Sequence, residues 1–230
     1  MALQTLQGKI LSKSMVAKDT YSLRVVTEGI ESFDFAAGQF ATITVGPDLK
    51  RSYSIASMPG RSYLDLIADT VRGGPGSQFF LNAKEGDTFE YMFPLGVFVY
   101  KDGEKPAYFF ATGTGIVPFM SMVEYALTVQ KTQRQIVFYG GFRFLEEVFG
   151  KGMLELLDIQ YENFRFKLNL TQPPQDWQGP VGRISQYIDT LESTDIDAYI
   201  CGSNQMITDI KTRLVAKGVP ESQVYHEMFY

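Results

Sequence analysis

Sulfur and imidazole are scarce in this 230-residue chain, which holds one cysteine, Cys201, and one histidine, His226. Two such residues cannot build the thiolate cage of an iron–sulfur cluster or a common structural zinc site. No metal centre is therefore expected, and any demanding redox chemistry would need an organic cofactor. A lone cysteine also excludes an internal disulfide. No apolar run approaches the roughly 20 residues needed to span a bilayer. The opening Met1-Ala2-Leu3-Gln4 lacks both the basic region and the apolar stretch of a secretory signal. These absences lead us to expect a soluble, cytoplasmic protein without membrane association. Positive charge is in deficit too: 21 Lys and Arg stand against 26 Asp and Glu, a formal charge of −5. That balance argues against a nucleic-acid binder, which normally displaces phosphate counterions with a basic surface. It leaves room for a local basic patch, for which Lys9, Lys13 and Lys18 are candidates.

What is present is ordinary in amount, 45% hydrophobic and 20% charged residues, and is divided into two rhythms. From Leu6 to about Tyr100 short alternating or β-branched segments, such as 39–45 and 63–67, are bounded by Gly, Pro or Asp. This pattern predicts an antiparallel barrel or sandwich. One short helix interrupts it after Gly73-Gly74-Pro75-Gly76, with Ser77 as its expected cap. A turn-rich connector, 101–106, follows. Beyond it, candidate strands at 107–111, 135–139, 164–170, 197–201 and 224–227 alternate with candidate helices at 116–130, 144–157, 184–191 and 205–217. Strand–helix alternation predicts a parallel sheet with helices on both faces, whose ligands gather beyond the carboxyl ends of the strands. We expect two domains, 1–102 and 103–230, in a monomer.

Three segments carry candidate chemistry. Gly113-Thr114-Gly115-Ile116-Val117-Pro118 follows a strand and opens a helix. Its glycines let backbone N–H groups approach an anion at a helix N-terminus, although a tight strand-to-helix turn needs glycine anyway. Arg51-Ser52-Tyr53-Ser54 places Arg51 and Tyr53 on one face of a strand and Ser52 and Ser54 on the other. A guanidinium suits a phosphate and a tyrosine ring suits a flat ligand, but taken alone the segment reads better as a solvated edge strand. In Tyr199-Ile200-Cys201-Gly202-Ser203-Asn204-Gln205-Met206 a strand again enters a helix, with Ser203 or Asn204 as the cap. Cys201 by itself reads as a buried small hydrophobe, and His226 as a structural residue.

Taken in order and spacing, these segments resemble the ferredoxin–NADP reductase family over nearly the whole chain. Further blocks contribute: Gly38-Gln39-Phe40, Thr70-Val71, Pro94-Leu95-Gly96-Val97-Phe98, Tyr139-Gly140-Gly141-Phe142-Arg143 and the tail Glu227-Met228-Phe229-Tyr230. The resemblance implies a flavin-binding antiparallel β-barrel followed by a nicotinamide-binding parallel α/β domain. It implies FAD rather than FMN as cofactor, with NADPH as coenzyme and NADH as the alternative. By resemblance Arg51 meets the flavin pyrophosphate, Tyr53 packs on the isoalloxazine and Ser54 hydrogen-bonds near flavin N5. Gly74, Gly76 and Ser77 hold the flavin phosphates, while Ile67, Asp69 and Thr114 complete the flavin contacts. Phe229 covers the flavin face until nicotinamide displaces it. Gly113, Thr114 and Gly115 form the coenzyme loop; Arg143 and Arg183 meet the 2′-phosphate, although Gln172 stands where NADP-selective members often carry a further arginine. Cys201, Gly202 and Met206 line the nicotinamide pocket, and Ser54, Cys201 and Glu227 are the catalytic candidates. The implied acceptor is a ferredoxin or flavodoxin, the runner-up an oxygenase component or a cytochrome. A non-catalytic flavin-binding redox sensor or scaffold is the reading from another class.

Overall fold

The computed structural model describes residues 4–228. Two compact units divide the chain: one holds the residues up to Tyr100 together with Val117–Gln130, the other Lys101–Ile116 and the residues from Lys131 onward. Among the described residues, no helix is long and apolar enough to cross a membrane.

In the first unit six strands form one sheet: β1 (Gln4–Ala17), β2 (Thr20–Val26), β3 (Phe40–Gly46), β4 (Leu49–Ser54), β5 (Leu64–Asp69) and β6 (Thr88–Leu95), in the order β4-β3-β6-β1-β2-β5. Every neighbouring pair is antiparallel. Two-residue periodicity decides which side chains are buried together. Ala41 and Ile43 of β3, Leu64, Leu66 and Ala68 of β5, and Phe89, Tyr91 and Phe93 of β6 share one core with Phe33 and Phe35. The aromatic members meet edge to face, as at Phe33 and Phe93 with centroids 5.6 Å apart. The two edge strands are linked beyond the end of β4, where Ile55 bridges to Leu66 and the Ala56 N–H donates to the Asp65 carbonyl at 2.8 Å. Helix α1 (Pro75–Asn82) packs Phe80 into this core. Its N-cap is Gly74, followed by Pro75 at the first helical position, and no side chain caps it. Ser77, expected as the cap, sits inside the first turn, because proline is preset for the helix start and brings the boundary forward. Helix α2 (Ile116–Thr128) belongs to this unit from Val117 onward; Phe119 lies 5.7 Å from Phe98, and Glu124 pairs with Arg61 at 3.0 Å.

The second unit carries β7 (Ala107–Thr112), β8 (Ile136–Phe142), β9 (Phe164–Leu170), β10 (Asp197–Gly202) and β11 (Val224–Met228), all parallel, in the order β11-β10-β7-β8-β9. Successive residues bury on opposite faces, as a parallel sheet requires. Phe110 and Ile200 join Ile207, Ile210 and Leu214 of α4 (Asn204–Lys217) in one cluster, whereas Phe109 packs against Phe138 and Tyr199. Helix α4 is capped by Ser203, whose Oγ accepts the Met206 N–H, and ends at Gly218 with φ 109°.

Two expected helices differ. The segment 144–157 is a 3-10 turn, Leu145–Glu147, followed by α3 (Lys151–Gln160). Glu147 Oε2 turns back to accept the N–H groups of Arg143 and Phe144, and Gly150 at φ 70° restarts the chain. Residues 184–188 form a 3-10 helix rather than an α-helix. Tyr187 is tied at both its ends, the ring stacked on Tyr139 at 4.1 Å and the hydroxyl donating to the buried Asn169. Five residues held this way make i to i+3 turns more readily than a full α-helix.

Candidate functional site

Strand order places the site. Chain order runs outward from β7 through β8 to β9, then returns to β10 and β11 on the other side of β7. The carboxyl ends of β7 and β10 therefore flank the topological switch point, where parallel α/β sheets hold their ligands. The 3-10 turn Gly113–Gly115 leaves β7 there, with Gly113 at φ 55°. A β-carbon at Gly115 would lie 2.5 Å from the Cys201 carbonyl carbon and 2.7 Å from the Gly202 nitrogen. At Gly202, φ 149°, one would collide with Thr112 Oγ1 and reach within 2.6 Å of Met206 Cε. Glycine at both positions lets two backbones meet, so that the turn carrying Thr114 lies against Cys201 and Gly202, with Met206 beside Gly202.

Cys201 and Glu227 are register partners on β10 and β11. The thiol is fully buried, and burial, with the neighbouring Glu227 carboxylate, pushes its pKa well up. It is no nucleophile at neutral pH. Burial also pushes the Glu227 carboxyl up to about 7, and its Oε2 has no hydrogen-bond partner among the described residues. A carboxyl near 4.3 in the unfolded chain that rises to about 7 on folding makes the native state bind the extra proton. Its contribution to stability is complete below about pH 4 and is lost as pH rises through 7. Urea midpoints measured from pH 5 to 8 are expected to fall more in the native protein than in Glu227→Gln; identical slopes would remove Glu227 as the cause. His226 is exposed on the same strand.

In the first unit, β4 pairs with β3 so that Tyr53 faces Ala41 and Ser54 faces Phe40. The two faces separate as the alternation predicts: Ser52 bonds Thr42 Oγ1 at 2.9 Å on one, while Tyr53 packs towards the core on the other, 4.9 Å from Phe80. Burial raises the Tyr53 hydroxyl to about 12. A β-carbon at Gly76 would collide with that hydroxyl and lie 3.5 Å from Arg51 Cγ. The uncapped first turn of α1, with its free N–H groups, thus stands against Arg51 and Tyr53. Ser54 is 5% exposed and its Oγ has no partner among the described residues. Ile67, buried on β5, faces away from the core residues Leu66 and Ala68, with Asp69 half-buried on the same side. A cation, a flat phenol, uncapped amides and an unmatched buried hydroxyl are a donor set that fits a flavin bearing a pyrophosphate.

Arg143 follows β8 and donates from Nε to Gln172 Oε1 at 3.2 Å. Arg183 is exposed at the start of the 184–188 helix, with no ion-pair partner among the described residues. Phe229 lies outside the described residues. Among those residues, no group of three or more His, Cys, Asp or Glu could hold a metal ion. The motif reading missed Asn169, whose amide joins Tyr187 to the Gly182 carbonyl, and Arg134, which ties the 101–106 connector to the second sheet. An isolated Asn in a strand and an Arg in a polar turn give no sequence signal.

Residues 7–100 match the model of an oxidoreductase FAD-binding domain, and residues 109–212 that of an oxidoreductase NAD-binding domain. The chain is 29% identical over 213 residues to ferredoxin–NADP reductase B of Sorangium cellulosum, covering 86% of this chain and 87% of that one. It is 27% identical to the 2-halobenzoate 1,2-dioxygenase electron transfer component of Burkholderia cepacia, covering 98% of this chain and 68% of that protein. A ferredoxin NADP+ reductase of Neisseria gonorrhoeae, solved with FAD and NADP, superposes with a TM-score of 0.84 at 22% identity, over 98% of this chain and 99% of its own. Two successive domain matches have one reading: the chain belongs to the ferredoxin–NADP reductase-like family and is an NAD(P)H-dependent FAD oxidoreductase that passes electrons from the coenzyme through the flavin to a redox partner.

Proposed function

We propose that this reductase draws on NADPH and delivers single electrons to a separate ferredoxin or flavodoxin. The observation that carries the residue assignment is the buried Ser54 Oγ, which has no partner among the described residues and is a polar atom that a ligand would satisfy. In this reading Arg51 and the first-turn amides of α1, at Gly76 and Ser77, hold the flavin pyrophosphate, with Gly74 leading into the turn. Tyr53 supports the ring, while Ile67, Asp69 and Thr114 contribute further contacts. Ser54 hydrogen-bonds the ring edge that receives hydride. Gly113, Thr114 and Gly115 cradle the coenzyme phosphates, Arg143 and Arg183 meet its 2′-phosphate, and Cys201, Gly202, Met206 and Glu227 shape the nicotinamide pocket. FAD, when bound, supplies the conversion of a two-electron donor into one-electron steps. The residues act mainly by positioning, since hydride transfer needs reacting atoms within about 3 to 3.5 Å and no acid–base pair. We also propose that the six-stranded sheet closes into a barrel through the Ile55–Leu66 link and that helices cover both faces of the parallel sheet.

A separate carrier is favoured because these 230 residues include one cysteine and so cannot ligate a cluster of their own. The Burkholderia relative supports an oxygenase component as the second partner reading. Mixing the purified, FAD-loaded protein anaerobically with NADPH or NADH tests the assignment. NADPH should bleach the flavin faster, and Ser54→Ala should slow bleaching about 100-fold, the lower end of the cost of one lost transition-state donor, with coenzyme affinity unchanged. Bleaching at the native rate in Ser54→Ala would dismiss Ser54 from the reaction.

A further inference from the structure

Arg143 and Gln172 stand one step beyond the paired ends of β8 and β9, and they hold each other twice. The Thr171 N–H donates to the Phe142 carbonyl at 3.1 Å, carrying the ladder past its last strand pair. The Gln172 N–H then donates to the Arg143 carbonyl at 2.9 Å, and Arg143 Nε returns a bond to Gln172 Oε1 at 3.2 Å. Backbone fixes where the amide stands, and the amide fixes how the guanidinium is turned. A guanidinium has five N–H donors in a planar fork. With Nε engaged, the four on the terminal nitrogens are left for another acceptor, and none among the described residues takes them. The Glu147 carboxylate accepts the backbone N–H groups of Arg143 and Phe144, each at 3.2 Å, and makes no ion pair with the Arg143 guanidinium among the described residues. Beside the pair opens a cleft of about 500 Å³ lined by Phe144, Leu145, Glu146, Gln172, Pro173 and Pro174.

We infer that Gln172 is a positioning residue that holds the Arg143 guanidinium with its terminal nitrogens presented to a ribose 2′-phosphate beside this cleft, and so favours NADPH over NADH. The inference rests on the reading of Arg143 given above. The chemistry explains why an amide serves here. A carboxylate at 172 would orient the fork equally well but would neutralise its charge and repel a phosphate. A further arginine, as NADP-selective relatives often carry, would add a cation of its own but offer no acceptor to Nε, and so could not orient Arg143 in this way.

Calorimetric binding to the FAD-loaded protein tests this, using adenosine 2′,5′-bisphosphate as the probe and 5′-AMP as the control lacking the 2′-phosphate. Gln172→Met, which keeps the length and removes the acceptor, is expected to weaken the bisphosphate about 5-fold, in keeping with one lost charge-assisted hydrogen bond near the surface, and to leave 5′-AMP unchanged. In an Arg143→Met background the same substitution should have no further effect, because its action passes through Arg143. Gln172→Asn, whose amide falls one methylene short, should reproduce the loss and serves if the methionine variant does not fold. If Arg143→Met itself leaves bisphosphate affinity intact, the reading of Arg143 fails and the proposal with it. If Arg143→Met weakens binding while Gln172→Met does nothing, or weakens it equally in both backgrounds, only the positioning role of Gln172 is overturned.

Discussion

Replacing Gly115 with alanine is expected to weaken NADP+ binding about 100-fold, while FAD stays bound. The added carbon would collide with the Cys201 carbonyl oxygen and lie 2.5 Å from its carbon and 2.7 Å from the Gly202 nitrogen. All three are backbone atoms, so no side-chain rotation relieves the overlap and the turn must move away from β10. Overpacking of this kind costs about 1 to 3 kcal/mol, and the upper end corresponds to about 100-fold in affinity. Gly113 is the internal comparison: its β-carbon would meet nothing within 4 Å, although φ 55° is a glycine-favouring conformation. Gly113→Ala should therefore be the milder variant. Titration calorimetry with NADP+ checks both, and native affinity in Gly115→Ala would show that the β7 turn and the end of β10 do not share the coenzyme.

The second large effect is on stability. Arg134 is the buried anchor of the connector: its side chain is 0% exposed and pairs with Asp197 at 2.7 Å, while Nε and Nη1 donate to the carbonyls of Lys105 and Lys101 at 2.6 and 2.8 Å. Arg134→Met would leave a mostly buried carboxylate and two carbonyls without these donors. Removing one partner of a buried pair costs about 3 to 5 kcal/mol. For a chain of this size that lowers the melting temperature by about 10 °C. Changing Asp197 as well, to asparagine, should restore part of the loss, since the uncompensated charge is then gone. A melting temperature within a degree or two of the native protein in Arg134→Met alone would show that the pair contributes little.

Local regularities were the legible part. Alternation at 39–45 and 63–67 found β3 and β5 to within a few residues, because a period of two is written in adjacent side chains. Strands 107–111 and 197–201 were equally plain as nearly unbroken buried runs, and 164–170 as an alternation that leaves Arg165 and Lys167 exposed between buried or half-buried neighbours. Helix starts were harder. Ser77 lost to Gly74 and Pro75, and the segment 144–157 broke where Glu147 folded back on its own backbone, both contests between nearby groups that a pattern cannot weigh.

Of the site, the sequence by itself determined the glycines, the cation, the ring and the single buried thiol, since each is a residue type with chemistry of its own and motif spacing orders them. Tertiary structure alone decided that Gly115 abuts Cys201, that Glu227 shares its register, that Ser54 Oγ is buried without a partner among the described residues and that Gln172 grips Arg143. Those relations join residues from separate strands, and their geometry depends on strand order and register, which follow from the packing of the whole sheet rather than from any local stretch of chain.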